Sequence, residues 1–420
     1  MASLSRLWAE QGPETALALV AAAAQAAPQD RALHLAWLEA LLRLRRLDEA
    51  GMLAARLDHF DASGRLRLIN QAVIAEQAGD YQTAVALLLQ AETIQPSLHQ
   101  QMRLINLAAE LGDAALGLRW SQAARRLAQN PQDRLLLACT EVNWRFNARD
   151  FTGTMQLALL TVQGLLDSGS LLADAAPAAQ PAGGDPAHDD KLRQTLIAAL
   201  QRLETAGLQP FAIAGLLLGW QRDAAFLPND KDIDLALPPG LLPAEAVLAE
   251  AAAALCNDGR FRLLPNMLGM LDFNTFADTA TGIHVDLVAH RQDTSGGILG
   301  GSRMAGLPDA ECRLLRHAAY DLVRAEWQGV TLWRPADADR LLCEYYGNWR
   351  QRDPHFNSMI SAPAMLGFPD FVRAMAYLHL VLAVQAGRRE AAIALAQQIC
   401  QRDAGDVLAD WFLHQIEATA

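Results

Sequence analysis

The sequence predicts a multidomain chain: an all-α arm of repeated helical hairpins, then an α+β domain built on a small mixed sheet. Three observations predict it. Turn markers recur along the first part of the chain, a Ser/Gly/Pro/Ala-rich stretch follows them, and short alternating strands occur only after that stretch. At 420 residues the chain exceeds one ordinary core. Its 52% hydrophobic and 20% charged residues describe a globular protein rather than a disordered one.

The turn markers are Gln11-Gly12, Leu47-Asp48, Gly79-Asp80, Gly112-Asp113 and Arg149-Asp150, spaced about 32 to 37 residues apart. A period of that length means stacked helix pairs, each burying an apolar face against its neighbours. The sharpest unit runs from Ala72 to Pro96. Its Gly79, Tyr81, Ala84, Leu88, Ala91 and Pro96 resemble the turn glycine, aromatic, small packing residues and closing proline of a tetratricopeptide repeat. The arm is expected over residues 1–166. A shorter echo, Ala386-Gly387-Arg388 followed by Ala391 to Cys400, marks a helix pair within a C-terminal segment, 363–420.

Residues 167–190 read as a flexible linker, with Ala175-Ala176-Pro177 and Pro181-Ala182-Gly183-Gly184-Asp185-Pro186 and no core pattern. The α+β domain is expected over 191–362. It opens with an amphipathic helix, Leu192 to Ala206, and continues with strands at Phe211 to Ala214, Asp232 to Leu237 and His284 to Leu287.

The net charge of −12 argues against non-specific binding to nucleic acid or to anionic membrane. Nearly all positive charge is arginine, because Lys191 and Lys231 are the only lysines. The five cysteines (Cys139, Cys256, Cys312, Cys343, Cys400) are scattered, which suits reduced thiols better than disulfides or zinc. No apolar run is long enough for a transmembrane helix. Ala16 to Ala27 imitates the centre of a signal peptide, but acids at Glu10 and Glu14 precede it and it fits the repeat. A cytoplasmic location is expected.

Chemistry concentrates in the second half. Gly215-Leu216-Leu217-Leu218-Gly219-Trp220-Gln221-Arg222 reads as a glycine-rich turn ending in an arginine, and Asp230-Lys231-Asp232-Ile233-Asp234 follows. Alternation puts Asp232 and Asp234 on one strand face and Ile233 and Leu235 on the other. Two adjacent carboxylates repel each other unless a cation lies between them. A second strand, Ile283 to Val288, places His284 and Asp286 on one face. Paired beside the first, it brings three carboxylates to one candidate metal site.

Gly215-x-x-x-Gly219-x-x-Arg222, Phe226-Leu227-Pro228, Asp230-x-Asp232-x-Asp234, Val285-Asp286 and Tyr346-Gly347-Asn348-Trp349-x-x-x-Asp353-Pro354 occur in that order over 195 to about 360. Together they resemble the LicD/fukutin family of the nucleotidyltransferase-fold superfamily. The resemblance implies a phosphotransferase that moves a phospho-alditol or phosphocholine group from a CDP-linked donor to a sugar hydroxyl of a surface glycan, releasing CMP. It implies Asp232, Asp234 and Asp286 as ligands of Mg2+ or Mn2+, with Asp286 as the alternative general base. Gly215, Gly219, Arg222, Asp230, Tyr346 and Trp349 are implied at the substrate: glycines for backbone approach to phosphate, an arginine fork for a phosphate oxygen, aromatics for stacking.

Other residues read more plainly. His284 is expected to be structural rather than a ligand. His290 and Arg291 are expected in a solvated loop, and Gly296-Gly297 to Gly300-Gly301 in a mobile one. Asn229 and Lys231 stand where the family carries an aromatic and an acid, and the pattern assigns Lys231 no role. Arg334, Arg350 and Arg352 add positive charge. The arm offers a concave surface to a partner protein, a second copy or a long glycan. Two other functions use the same features: transfer of the nucleotide itself to a small molecule or protein, and a non-catalytic helical-repeat scaffold.

Overall fold

The helices of the first part are punctuated by one recurring backbone device. Gly79 and Gly112 take left-handed φ values of 74° and 65°, and Arg45 and Arg149 adopt the same conformation at 55° and 63°. In each turn the next residue's N–H donates to the carbonyl five positions back: Arg46 to Leu41, Asp80 to Ala75, Asp113 to Ala108 and Asp150 to Arg145. Helix ends that turn through a left-handed residue satisfy their last carbonyls in this way. Asp80, Asp113 and Asp150 then cap the following helices, accepting from the N–H of Thr83, Leu116 and Gly153. At Gly79-Asp80, Gly112-Asp113 and Arg149-Asp150 the sequence period is therefore a structural one: each of these markers both stops one helix and starts the next.

The computed structural model describes residues 7–8, 11–169, 186–228, 230–240, 242–266 and 268–418. It divides into two compact units, Met1–Trp144 and Arg145–Ala420. The first contains α1 (Pro13–Ala26), α2 (Arg31–Arg43), α3 (Leu47–Ala54), α4 (Arg65–Gln77), α5 (Tyr81–Ile94), α6 (Leu98–Glu110), α7 (Ala114–Leu127) and most of α8 (Pro131–Asn147). Its core joins Ala84, Leu88, Ile105, Ala124 and Trp144. A side chain on Gly117 would strike the Trp144 indole at 1.9 Å, so glycine there lets α7 and the tryptophan meet.

The second unit opens with α9 (Phe151–Asp167), which the turn period assigns to the arm. It packs against α15 (Asp370–Gln385), with Phe151 and Phe371 ring centroids 5.4 Å apart. The C-terminal helix pair expected from Ala386-Gly387-Arg388 is α15 and α16 (Arg389–Arg402), followed by α17 (Val407–Ala418). Of the expected linker, residues 170–185 lie outside the described ones, and the last five residues already belong to α10 (Pro186–Thr205).

The mixed sheet is larger than the three strands legible in the sequence. Seven strands run in the order β3-β4-β5-β2-β1-β10-β9, where β1 is Phe211–Ala212, β2 Asp232–Leu237, β3 Phe261–Leu263, β4 Phe273–Asp278, β5 His284–Ala289, β9 Leu322–Trp327 and β10 Val330–Pro335. β2 and β5 are parallel neighbours, whereas β4 and β5 are antiparallel. Ile233, Leu235, Val285 and Leu287 are fully buried, and α10 and α12 (Ala244–Cys256) pack on the strands that carry them. The β9–β10 hairpin turns on Gln328 and Gly329, both at positive φ, as a tight two-residue turn requires.

Two expectations fail here. The Gly296–Gly301 segment is not a mobile loop: Ile298–Ser302 forms β7, every residue buried, between β6 (Arg291–Gln292) and β8 (Arg313–His317) in a second sheet. Its glycines are there for close contact, since a Cβ on Gly300 would lie 2.5 Å from His290 Nε2 and one on Gly301 2.3 Å from the Arg313 carbonyl. His290 is likewise not solvated. It is 3% exposed, bonded through Nδ1 to the Tyr320 hydroxyl, and burial followed by the neighbouring His317 lowers its pKa to about 3.

Candidate active site

The parallel pairing of β2 and β5 sets Asp234 directly beside Asp286 and Asp232 beside His284. Residues in register on adjacent strands share a face, so the pairing brings the three carboxylates expected from the sequence together. Asp230, just before β2, joins them: its oxygens approach the Gly215 Cβ direction at 3.5 and 3.6 Å, beside Asp234 Oδ2 at 2.8 Å.

The segment read as a glycine turn is helical: α11 spans Ala214–Asp223. Its backbone needs no glycine freedom at Gly215 or Gly219; space decides both positions. The Gly215 N–H donates to Asp234 Oδ2 at 2.8 Å, so the N-terminus of α11 holds the chain's own carboxylate rather than facing an open cradle. Gly219 lies farther along the helix, where a Cβ would meet the Ala225 carbonyl at 2.6 Å. The residue entering the helix, Ala214, takes φ 41°, a conformation that costs an alanine about 1–2 kcal/mol.

The carboxylates resist ionisation. Burial raises the pKa of Asp234 well above normal, reinforced by the charges of Asp232, Asp286 and Asp230 and opposed by the Gly215 N–H. Asp230 is raised to about 7 by burial and then Asp232. Asp286 is raised to about 6 by burial, against the hydrogen bond it accepts from Thr275 Oγ1 at 2.6 Å. Burial also raises Asp232, while His284 and Lys231 oppose it. Lys231 is exposed.

A cleft of about 1110 Å3 adjoins this face, lined by Leu218, Arg222, Pro228, Tyr346, Trp349 and Phe356 among others. Asp223 pins two arginines at it. Arg222 reaches Asp223 Oδ2 through Nε and Nη2 at 3.2 Å, and Arg352 Nη2 reaches Oδ1 at 2.8 Å. Burial alone would raise the Asp223 pKa, but the bonds from Arg352 and Arg222 prevail and hold it low. Tyr346 sits close enough to the acids that its hydroxyl pKa is raised, first by burial and then by Asp234. Trp349 is nearly buried and donates from Nε1 to Asp339 Oδ1 at 3.0 Å, with Arg350 over its ring at 4.4 Å.

Comparison with protein-family models gives no match, and comparison with curated protein sequences gives none either.

Asp232, Asp234, Asp286, Asp230 and Gly215 thus converge, and Arg222, Tyr346 and Trp349 line the adjoining cleft. Gly219 serves helix packing. Among the described residues no three His, Cys, Asp or Glu side chains close around a point at ligand distances. The donor set is nevertheless of one kind, oxygen only, with Asp234 and Asp286 each using one oxygen on a protein hydrogen bond and keeping the other. Such a set fits a hard divalent cation. Sequence reasoning missed Thr275, Phe356 and the Asp223 clamp. Thr275 lies on β4, in register with Asp286, and its only signal was the alternation Phe273, Thr275, Ala277.

Proposed function

We propose that the chain is a metal-dependent phosphotransferase of LicD/fukutin type, transferring a phospho-alditol or phosphocholine group from a CDP-linked donor to a sugar hydroxyl and releasing CMP. The observation that carries the proposal is the registered pair Asp234–Asp286, with Asp232 on the same face, beside a cleft that joins arginines to aromatic side chains. The family assignment rests on the motif order, and the cytoplasmic location on the sequence features above. Among the described residues, no helix is long and apolar enough to cross a membrane.

Asp232 and Asp234 would hold Mg2+ or Mn2+, which supplies positive charge to the donor's diphosphate, and Asp286, the third acid, takes the general-base role. The chain's own residues do the rest. The Arg222–Asp223–Arg352 clamp presents guanidinium to phosphate oxygens, and an arginine fork suits that geometry. Tyr346, Trp349 and Phe356 offer faces for a base or sugar. Asp286 accepts the proton of the attacking hydroxyl, with its Oδ1 held in place by the Thr275 hydroxyl. The new bond joins the acceptor oxygen to phosphorus, and the bond from that phosphorus to the CMP oxygen breaks.

The test is to incubate the full chain with CDP-ribitol, CDP-glycerol or CDP-choline and Mg2+ or Mn2+, and to identify the nucleotide product. CMP release that disappears in the Asp232→Asn/Asp234→Asn double variant supports the proposal. Nucleotide recovered on another molecule instead would make the chain a nucleotidyltransferase. Full activity in the double variant would refute catalysis by these acids. If no nucleotide binds with metal, the helical repeats become the functional part, as a tetratricopeptide-like scaffold for a protein or a second copy.

A further inference from the structure

The carboxylate face does not end at Asp286. In the sheet order β4-β5-β2, Asp286 stands between Thr275 on one side and Asp234 on the other. Antiparallel register puts Thr275 on the Asp286 face, and alternation along β4 adds Phe273 to it. β3 pairs with residues 276–278 and the Leu264 N–H donates to the Thr275 carbonyl, so on the edge away from β5 the Phe273 end of β4 has no paired strand. A second, smaller cavity of about 140 Å3 opens there, walled by Leu264, Leu268, Met270, Phe273, Asn274 and Thr275. Asn266 is not available as a binding group: its amide both donates to and accepts from the Met270 backbone, and so shapes the loop.

Across the sheet, therefore, the sequence of features is small cavity, Thr275, Asp286, Asp234 and the head of α11. α11 then leads into the large arginine-lined cleft through Leu218 and Arg222. Attacking and leaving oxygens in phosphoryl transfer lie roughly in line across the phosphorus. If the large cleft takes the nucleotide that leaves, the incoming hydroxyl enters from beyond Asp286, where the small cavity is. Its lining combines apolar walls, the Asn147 amide and the Thr275 hydroxyl, the combination that suits the C–H face and hydroxyl edge of a polyol or sugar.

We propose that this cavity is the acceptor pocket, taking one small polyol or terminal sugar unit, and that Thr275 is a positioning residue that aims Asp286 at the acceptor hydroxyl. The inference rests on the phosphoryl-transfer reading. Thr275 Oγ1 donates to Asp286 Oδ1 and leaves Oδ2 for the acceptor proton. The acceptor oxygen bonds to phosphorus, its proton passes to Asp286, and CMP departs with the electron pair of the broken P–O bond.

The experiment uses the full chain with Mg2+ and the CDP-linked donor that it turns over, following CMP release to water alone and transfer to ribitol, glycerol or methyl β-galactoside as probes. Phe273→Trp, which narrows the cavity from the Asp286 face, is expected to raise the probe KM at least tenfold, with metal-dependent CDP binding retained as the sign of a folded donor site. Should Phe273→Trp fail to fold, Leu268→Phe narrows the same cavity from its other wall. Thr275→Val is expected to lower kcat tenfold or more with donor KM unchanged, and Thr275→Ser to restore it. Probe transfer unaffected by the narrowing, or a Thr275→Ser variant no better than Thr275→Val, would overturn the assignment. So would a wild-type chain that releases CMP yet transfers to none of the probes. Absence of both metal-dependent CDP binding and CMP release in the wild type would instead remove the phosphoryl-transfer reading, and this inference with it.

Discussion

Gly215→Ala separates the site from the fold more cleanly than any other single change. The added Cβ would lie 2.8 Å from Asp234 Oδ2 and 3.5 Å from the nearer Asp230 oxygen, whereas ordinary contact begins near 3.4 Å. The Asp234 oxygen must therefore retreat by roughly 0.6 Å, the difference between 3.4 and 2.8 Å. Metal–ligand distances tolerate only about ±0.2 Å, so the displaced carboxylate no longer fits a cation that its neighbours also hold. Stability is pulled both ways. Alanine in place of a helical glycine gains up to about 1 kcal/mol, while weakening the Gly215 N–H bond to a carboxylate loses about 1.5–3 kcal/mol at most. The expected result is a melting temperature within a few degrees of wild type, with Mn2+ affinity and metal-dependent CMP release both down at least tenfold. Isothermal titration with Mn2+ in the presence of CDP measures the first, and product analysis the second. Gly219→Ala serves as the control: its Cβ meets the Ala225 carbonyl at 2.6 Å, so it should lower the melting temperature and spare the metal affinity of the folded fraction. A Gly215→Ala protein with wild-type Mn2+ affinity would refute the reasoning.

Other outcomes follow from the same geometry. Asp286 and Asp230 have folded pKa values near 6 and 7, above the unfolded value, so the stability tied to their protonated forms is full below about pH 4 and lost as pH rises through 6 and 7. Urea melts in EDTA should show that loss between pH 5 and 8, smaller in Asp234→Asn and smaller again with Mg2+; an unchanged pH slope in both would contradict it. Gly112→Ala places a side chain where nothing lies within 4 Å but φ is 65°, so its cost is conformational alone, about 1 kcal/mol by chemical denaturation. Trp349→Phe loses the Nε1 bond to Asp339, yet Arg350 still pairs with that carboxylate, so about 1 kcal/mol is expected rather than the larger penalty of an orphaned charge; a loss above 3 kcal/mol would mean the indole does more.

How much of this was legible in the sequence depended on whether the informative pattern was local. β2 and β5 were readable because Asp232–Leu237 and His284–Ala289 alternate cleanly between an acid-bearing and an apolar face. The helix-ending turns were readable because a left-handed residue followed by a capping aspartate is a short-range signal, and Gly79-Asp80 and Gly112-Asp113 carry it outright. Glycine misled where its purpose was contact with a distant residue. Gly300 makes room for His290, and Gly215 for Asp234, but both segments read as loops because glycine's conformational freedom is the commoner reason for its use. Thr275 had no local signal at all, since its meaning comes from facing Asp286 across two strands. The pairing of α9 with α15 joins segments about 200 residues apart in the chain, and no periodicity reports such a partner.

The position of Gly215 also explains how four acids share one face without unfolding the sheet. Three of the four have a partial counterweight: a helix N-terminal N–H for Asp234, a threonine hydroxyl for Asp286, and His284 and Lys231 near Asp232. Burial outweighs these counterweights, and the pKa values of all four acids stay raised. The same short stretch holds the left-handed Ala214, so backbone strain and charge repulsion accumulate at one place, the junction of β1 with α11. Structural carboxylates elsewhere in the chain are treated differently. Asp278, which is fully buried, receives Arg260 through two nitrogens together with Thr195, and its pKa is lowered despite burial. Asp406 is met by Arg373 and Tyr377. Asp278 and Asp406 thus each receive an arginine, whereas the bonds that Asp234 and Asp286 accept come from a backbone N–H and a threonine hydroxyl, and burial keeps their pKa values raised.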